Sequence, residues 1–198
     1  SFVCIACDPL AAQIRFESVA ASRGLLHSNP YSQTFAFPVE QWGAAAAVLA
    51  VMQANMGNGA AVGDFDRDGD PDVYLLGQLG VPNRFYRNDL EAGVRHFTAI
   101  TSSLGLGDMG LGRVALFADL DNDGWRDLIL INDNEPTLTY PPSKLFRNTG
   151  GRFVDVTAES GISAMGFIKG GACLGDYDGD GLLDLYVGLW LFQSSRPT

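Results

Sequence analysis

The chain has 198 residues, of which 46% are hydrophobic, and its formal net charge is −10. The apolar content is enough to build a sizeable core, so the composition excludes a disordered acidic tail. The 13 Lys and Arg residues are scattered along the chain, which argues against a nucleic-acid partner because phosphate binding needs clustered positive charge.

The N-terminal segment, SFVCIACDPL, contains an apolar run that ends in Ala6 and Cys7. This run is similar to the end of a bacterial lipoprotein signal, although Cys4 stands where Leu is usual. We therefore predict that residues 1–11 are a signal or lipoprotein tail or a linker, and that residues 12–198 form the folded repeats. The remaining cysteine, Cys173, lies in the apolar run GGACLGD and is expected to be a small buried thiol.

An Ala-rich stretch, GAAAAVLAVMQANM, occupies residues 43–56. Its composition favours a helix, but its apolar part covers only residues 44–52, which is too short to span a membrane. The stretch lies within an insertion at about 28–56, since the first repeat is longer than the later ones by this segment. We predict a helix packed on one face of the fold and no transmembrane span.

One acidic motif, D-x-D-x-D-G-x-x-D, occurs three times, beginning at Asp64, Asp119 and Asp176. The copies start 55 and 57 residues apart, so the chain is built from repeats. Other segments repeat in phase with the motif. An aromatic-Arg-Asn segment follows it, as in FYRN and LFRN, and then comes a Thr-containing strand led by Phe97 or Phe153.

Each repeat predicts four strands, which in the second copy are GRVALFAD, DLILIN, LFRN and FVDVT. The two strands beside the acidic loop are apolar on both faces, which is typical of strands buried on both sides. Four short antiparallel strands per repeat describe a blade of a β-propeller. We therefore predict an all-β, incomplete β-propeller with two full blades, at about 58–103 and 111–160, and partial blades at each end. Stacked solenoid sheets are the alternative.

The acidic loops, at residues 64–72, 119–127 and 176–184, have the residue types of a calcium site. Calcium takes about six to eight oxygen ligands, which carboxylates at alternate positions around a tight glycine turn can supply. Numbered from the first Asp, positions 1, 3, 5 and 9 are Asp in every copy, and position 6 is Gly, which adopts positive φ easily. Position 7 varies, so only its backbone carbonyl can serve. The alternative is that Asp and Gly merely form an acidic turn.

We expect about three Ca²⁺ ions, one in each loop. An EF-hand is excluded because position 12, where that motif needs Glu, is Leu75, Leu130 or Val187. Thirteen of the 23 acidic residues lie in the loops, so the acidity of the chain is largely a property of the metal sites. The predicted ligands are Asp64, Asp66, Asp68, Asp70, Asp72, Asp119, Asp121, Asp123, Trp125, Asp127, Asp176, Asp178, Asp180, Leu182 and Asp184, with Asp70, Trp125 and Leu182 acting through their carbonyls.

The acidic loops between apolar strands resemble FG-GAP/VCBS repeats, which occur in the propellers of integrin α-subunits and in many bacterial secreted proteins. The segments LFRNTGGRFVDVTAESGI and NRFYRN…FTAITSSLGL are similar to a subgroup that includes cartilage acidic protein and UnbV-type bacterial proteins. The resemblance implies structural calcium loops at one end of the blades and partners bound at the other end. Since family propellers have about seven blades, it also implies that this chain is a fragment of a ring.

These features predict a calcium-binding, secreted, periplasmic or surface-exposed interaction module for an unknown protein or glycan. Open blade edges favour self-association. No catalytic function is expected, because His27 and His96 lie in no motif and calcium-held carboxylates are poor general acids.

The alternative is the propeller domain of a secreted carbohydrate-active enzyme or a lectin. Acid–base pairs and sugar-stacking rings would then be needed, and neither set is distinguished by its surroundings. The candidates are Glu40, Glu91, Glu135 and Glu159 for catalysis, and Trp42, Trp125 and Trp190 for stacking.

Overall fold

The structure is a computed structural model and describes residues 5–7, 16–18, 59–77, 81–91, 93–133, 141–164 and 169–189. The predicted insertion at about 28–56, with its Ala-rich stretch, lies outside the described residues. Trp42, Trp190, Glu40 and Glu135 lie outside them as well. Within the described segments, no helix is long and apolar enough to cross a membrane.

Short strands dominate the described chain, and they are joined by a few single helical turns. The strands are β1 Ile5–Cys7, β2 Phe16–Ser18, β3 Ala60–Gly63, β4 Asp72–Leu75, β5 Arg84–Glu91, β6 Val94–Ala99, β7 Gly112–Ala118, β8 Asp127–Asn132, β9 Lys144–Asn148, β10 Phe153–Asp155, β11 Lys169–Gly175 and β12 Asp184–Leu189. The helical turns are α1 Thr101–Leu104, α2 Thr157–Ser160 and a 3-10 turn at Ile162–Ala164.

Two of the sheets are complete antiparallel blades. Blade 1 has the strand order β3-β4-β5-β6, and blade 2 has the order β7-β8-β9-β10. A third, two-stranded sheet pairs β11 with β12 and is called blade 3 here, and β1 pairs with β2 near the N-terminus. The arrangement confirms the predicted all-β fold with two full blades of four antiparallel strands.

The blades pack face to face through alternating residues of their strands. In β8, Leu128 and Leu130 pack against the aromatic face of blade 1, where Phe85 is fully buried. The next residues along the same strand, Ile129 and Ile131, pack on the opposite side against blade 3. All six residues of β8 are buried, which confirms that an unbroken apolar run marks a strand covered on both faces.

The same prediction holds only in part for β3, and it is wrong for Cys173. Val62 in β3 is 64% exposed, and Cys173 in β11 is an exposed free cysteine. Side chains alternate between the faces of a strand, so Cys173 points away from the face that carries Ala172 and Leu174 to blade 2. No described segment covers that outward face, and the predicted burial of the thiol is therefore not observed.

The threonine that the sequence places in the fourth strand of blade 2 lies outside that strand. Thr157 does not lie in the FVDVT strand, which ends at Asp155, but begins helical turn α2. Its hydroxyl accepts the N–H of Leu145 at 3.2 Å, and Thr101 accepts the N–H of Phe85 in the same way at 2.8 Å. Each Thr therefore anchors the return of the chain to the third strand of its blade.

Candidate calcium-binding loops

Each acidic loop is the connection of a β-hairpin. Loop 1 (64–72) joins β3 to β4, loop 2 (119–127) joins β7 to β8, and loop 3 (176–184) joins β11 to β12. The position-9 Asp is in every case the first residue of the outgoing strand. Because the flanking elements are paired strands, the structure agrees with the exclusion of an EF-hand.

Two positions in each loop have a left-handed backbone. Position 6 is Gly in every copy, with φ of 92°, 87° and 88°, as the sequence predicts. Position 4 is also left-handed, although it is Arg67 in loop 1, Asn122 in loop 2 and Gly179 in loop 3. An Arg at φ 61° costs free energy relative to glycine, so the surrounding loop must hold it there.

Backbone N–H groups within each loop orient the carboxylates of positions 1 and 5. One oxygen of the position-1 Asp accepts the position-6 N–H at 2.8–3.0 Å in all three loops. The position-5 Asp accepts the N–H of position 7 at 2.8 Å in all three. The contacts repeat with different side chains at position 7, so they follow from the loop conformation and not from the residue at that position.

The position-9 Asp links the end of each loop to its beginning through hydrogen bonds. Asp72 and Asp127 are almost fully buried, at 0% and 3% exposure. One oxygen of each position-9 Asp accepts the position-2 N–H at 2.8–3.2 Å. In blades 1 and 2 the other oxygen accepts a backbone N–H of the third strand, from Asn88 at 2.9 Å or Asn148 at 2.8 Å.

Asn88 and Asn148 are positioning residues that the sequence did not identify. Their side-chain amides donate to the position-8 carbonyl of their own loop, at Pro71 (3.0 Å) and Arg126 (3.1 Å). The available signal was the repeated Arg-Asn dipeptide, whose role the spacing alone did not reveal. Position 8 tolerates any side chain because its carbonyl makes the contact.

Three carboxylates converge in every loop, with their oxygens within 4.8 Å of one another. The structure does not bring together the same three positions each time, and position 5 joins the cluster only in loop 2. The clusters are Asp64, Asp66 and Asp72 in loop 1, Asp119, Asp121 and Asp123 in loop 2, and Asp176, Asp178 and Asp184 in loop 3.

Several of these oxygens have no hydrogen-bond donor within the described chain. Oδ1 of Asp64, Asp66 and Asp119 is buried and has no hydrogen-bond partner among the described residues. The second oxygen of Asp64 and Asp119 is already satisfied by the position-6 N–H. A buried carboxylate oxygen without a donor is costly, and a hard cation would satisfy it.

The electrostatics of the loops point the same way. Burial, with a smaller contribution from the nearby Asp66 and Asp68, raises the pKa of Asp72 to about 6, although N–H donors from Asn88 and Phe65 oppose the shift. Burial also raises the pKa of Asp66, which is further repelled by Asp68 and Asp64, and it raises that of Asp127. A bound dication would favour the charged carboxylates that burial and mutual repulsion disfavour.

Two arginines pair with carboxylates at the edge of the clusters. Arg95 forms an ion pair with the side chain of Asp70, and the prediction that this side chain is not a ligand stays a prediction. Arg147 pairs with Asp121 and lies 3.9 Å from Asp123. Metal ligation stays a prediction for all fifteen residues, and Asp68, Asp70, Trp125, Asp127, Asp180 and Leu182 in addition lie outside the three carboxylate clusters.

Four-stranded antiparallel blades that carry an acidic hairpin loop at the same end define a β-propeller-type repeat protein. A model of the FG-GAP-like repeat family matches residues 64–130 and 119–187, each match running from one acidic loop into the strand after the next loop. The chain belongs to the FG-GAP-like repeat family. No curated protein matches the chain significantly. Membership of the cartilage acidic protein and UnbV-type subgroup stays a prediction.

Proposed function

We propose that the chain is a calcium-binding β-propeller module for protein or glycan interaction, with one structural Ca²⁺ in each acidic loop. The observation that supports this most directly is the set of buried oxygens without partners at Asp64, Asp66 and Asp119. Calcium would be the positively charged partner that these carboxylate oxygens lack. The carboxylates at positions 1, 3, 5 and 9 would hold it, together with the carbonyl of position 7.

Calorimetric titration tests this function directly. The full chain is expected to bind about three Ca²⁺, and Asp119→Asn is expected to lower the stoichiometry by one, since the amide keeps the acceptor for Gly124 but removes the charge. Asp155→Asn, at an exposed carboxylate outside the loops, is the matched control and should bind as the parent does. Equal stoichiometry for parent and Asp119→Asn would refute the assignment of loop 2.

The proposal extends to a secreted, periplasmic or surface-exposed location, where calcium is abundant enough to fill sites of modest affinity. The apolar run that ends in Ala6 and Cys7, through its similarity to the end of a lipoprotein signal, is the sequence feature that supports this location. The test is to fractionate cells that express the gene for this chain and to detect the protein with an antibody. Recovery only in the cytoplasm would contradict the proposed location.

Self-association is proposed through the outward face of blade 3. Tyr177 and Tyr186 on this face are 92% and 72% exposed, and Cys173 lies beside Tyr186 across the β11–β12 pair. The corresponding positions of blade 1 are Phe65 and Tyr74, which are buried against blade 2. The face therefore has the pattern of a blade-to-blade interface, and a second copy of the chain is the proposed occupant.

Replacing both tyrosines tests this surface. Tyr177→Ser with Tyr186→Ser should weaken self-association by about tenfold or more, because two aromatic side chains no longer bury their apolar area. Leu90→Ser, at a 58% exposed position of blade 1, is the control. Sedimentation velocity over a range of concentrations measures the effect, and a parent chain that stays monomeric at all of them would contradict the proposal.

We do not propose catalysis, and the described residues give the enzyme and lectin alternative no specific support. The guanidinium of Arg67 lies 4.4 Å from the ring centroid of Trp125, so one face of this ring is already covered. A glycan array in constant calcium tests the alternative. Specific glycan binding would favour a lectin over a module for protein interaction.

A further inference from the structure

The acidic loops are connected to one another by their position-4 side chains. In loop 1, Arg67 donates from Nε to the carbonyl of Gly124 at 2.8 Å and from Nη2 to the carbonyl of Asp123 at 3.3 Å. In loop 2, Asn122 occupies the same position and donates from Nδ2 to the carbonyl of Gly181 at 3.0 Å. Loops 1 and 2 thus each contact the position-6 carbonyl of the next loop.

The first of these contacts is a packed one. The guanidinium of Arg67 also stacks on the Trp125 ring, and a Cβ added at Gly124 would collide with it. Its hydrogen bonds go to main-chain carbonyls of loop 2, so it does not take the carboxylate oxygens that a cation would use. Arg67 therefore supports the loop-2 turn without occupying the site.

Position 4 lies between the position-3 and position-5 carboxylates of its own loop. Arg67 is flanked by Asp66 and Asp68, and any cation held by these two groups would restrain the backbone between them. The turn that accepts its hydrogen bonds spans positions 5 to 7 of loop 2, whose N–H groups orient the carboxylates of Asp119 and Asp123. The segment 66–68 therefore carries predicted ligands of loop 1, and its Arg67 side chain also supports the turn that orients the ligands of loop 2.

We infer that neighbouring calcium loops are energetically coupled through Arg67 and Asn122, so that calcium in one loop raises the affinity of the next; this inference rests on the proposed function. Coupling of this kind is reciprocal, so calcium in loop 2 favours loop 1 by the same factor. Loop 3 has Gly179 at position 4, which has no side chain to donate. Within the described chain, the series therefore ends at loop 3.

The test compares single-site and two-site proteins by calorimetric titration with Ca²⁺ at fixed ionic strength. Loop 3 is disabled throughout by D176N and D178N, and loops 1 and 2 are disabled in turn by D64N with D66N, or by D119N with D121N. The coupling factor is the product of the two macroscopic association constants of the two-site protein, divided by the product of the association constants of the two single-site proteins. The whole set is repeated with Arg67→Gly, which reproduces the residue of loop 3 and relieves the left-handed backbone.

With Arg67 present, the coupling factor is expected to be about fivefold or more. In the Arg67→Gly set it should be about fivefold lower or more, because the electrostatic effect of disabling a neighbouring loop is common to both sets and cancels when their coupling factors are divided. Arg84→Ala is the control, since Arg84 carries the same charge at the far end of blade 1, where it pairs with Leu75 in the sheet register and bonds Tyr86. This variant should keep the parent's coupling.

An unchanged coupling factor in Arg67→Gly would overturn the inference while leaving calcium binding intact. A parent chain that binds no calcium would overturn both this inference and the proposed function. If Arg67→Gly does not fold, as judged by circular dichroism, Asn122→Gly is tested in a second set of titrations, in which loop 1 is disabled throughout and loops 2 and 3 are disabled in turn. Asn122→Gly should lower the coupling factor between loops 2 and 3, and an unchanged factor would contradict the inference.

Discussion

In saturating calcium, the chain is expected to melt about 10 °C above its melting temperature in chelator. Calcium binds the folded loops and not the unfolded chain, so each site adds about 1.4 kcal/mol to the free energy of unfolding at ten times Kd. Three sites together contribute about 4 kcal/mol, and for a chain of this size each kcal/mol shifts the melting temperature by about 2–4 °C. Thermal unfolding followed by circular dichroism in calcium and in EDTA measures the shift.

Two controls separate specific binding from a general effect of divalent ions. Magnesium at the same concentration should stabilise the chain less, because it demands a near-octahedral shell and loses its water reluctantly. A variant with Asp64→Asn, Asp119→Asn and Asp176→Asn should show no calcium-dependent shift, although its position-1 acceptors remain. A parent melting temperature that does not change in millimolar calcium would contradict the structural role of the ion.

The second large effect is expected from Asn148→Ala, which should lower the free energy of unfolding by about 3 kcal/mol. The Asn148 side chain is fully buried and donates to the carbonyls of Phe65, in the neighbouring blade, and Arg126, at 2.7 and 3.1 Å. It also accepts the N–H of Gly151 at 2.8 Å. Truncation removes the side-chain partner of one buried and two partly buried backbone groups, each at a cost of about 1 kcal/mol.

Asn88→Ala is the matched control, because Asn88 holds the same place in blade 1. Its amide donates to Pro71 alone, at 3.0 Å, and its Oδ1 has no partner among the described residues. The expected loss is about 1 kcal/mol. Urea unfolding of both variants in saturating calcium makes the comparison, and equal losses would show that the contact between Asn148 and Phe65 contributes nothing to stability.

Local chemistry explains why the turn conformation of the acidic loops could be predicted from the sequence. The hydrogen bonds of positions 1, 5 and 6 all lie within one loop, so the repeated nine-residue pattern is enough to specify them. The observed φ of 87° at Gly124 and the hydrogen bond from its N–H to Asp119 are consequences of that pattern. The apolar run of β8 likewise predicted a strand covered on both faces.

Contacts between blades were not predictable in the same way. Position 4 is Arg67, Asn122 or Gly179, and these residues have no side-chain chemistry in common. Their common feature is a left-handed backbone, which the sequence pattern does not indicate. The burial predicted for Cys173 was wrong because an apolar run shows what a strand can pack against and not whether a neighbour is present. The Thr157 side chain was assigned to a strand because its role depends on a bond to Leu145.

The sequence by itself determined the repeat, the four-stranded blade and the acidic loops, since strand periodicity and loop chemistry act over a few consecutive residues. Only the tertiary structure decided how the loops are joined. Asn148 meets Phe65 across 83 positions of the chain, and Arg67 meets Gly124 across 57. Such contacts arise from the stacking of one blade on the next, which brings together residues that no local pattern relates.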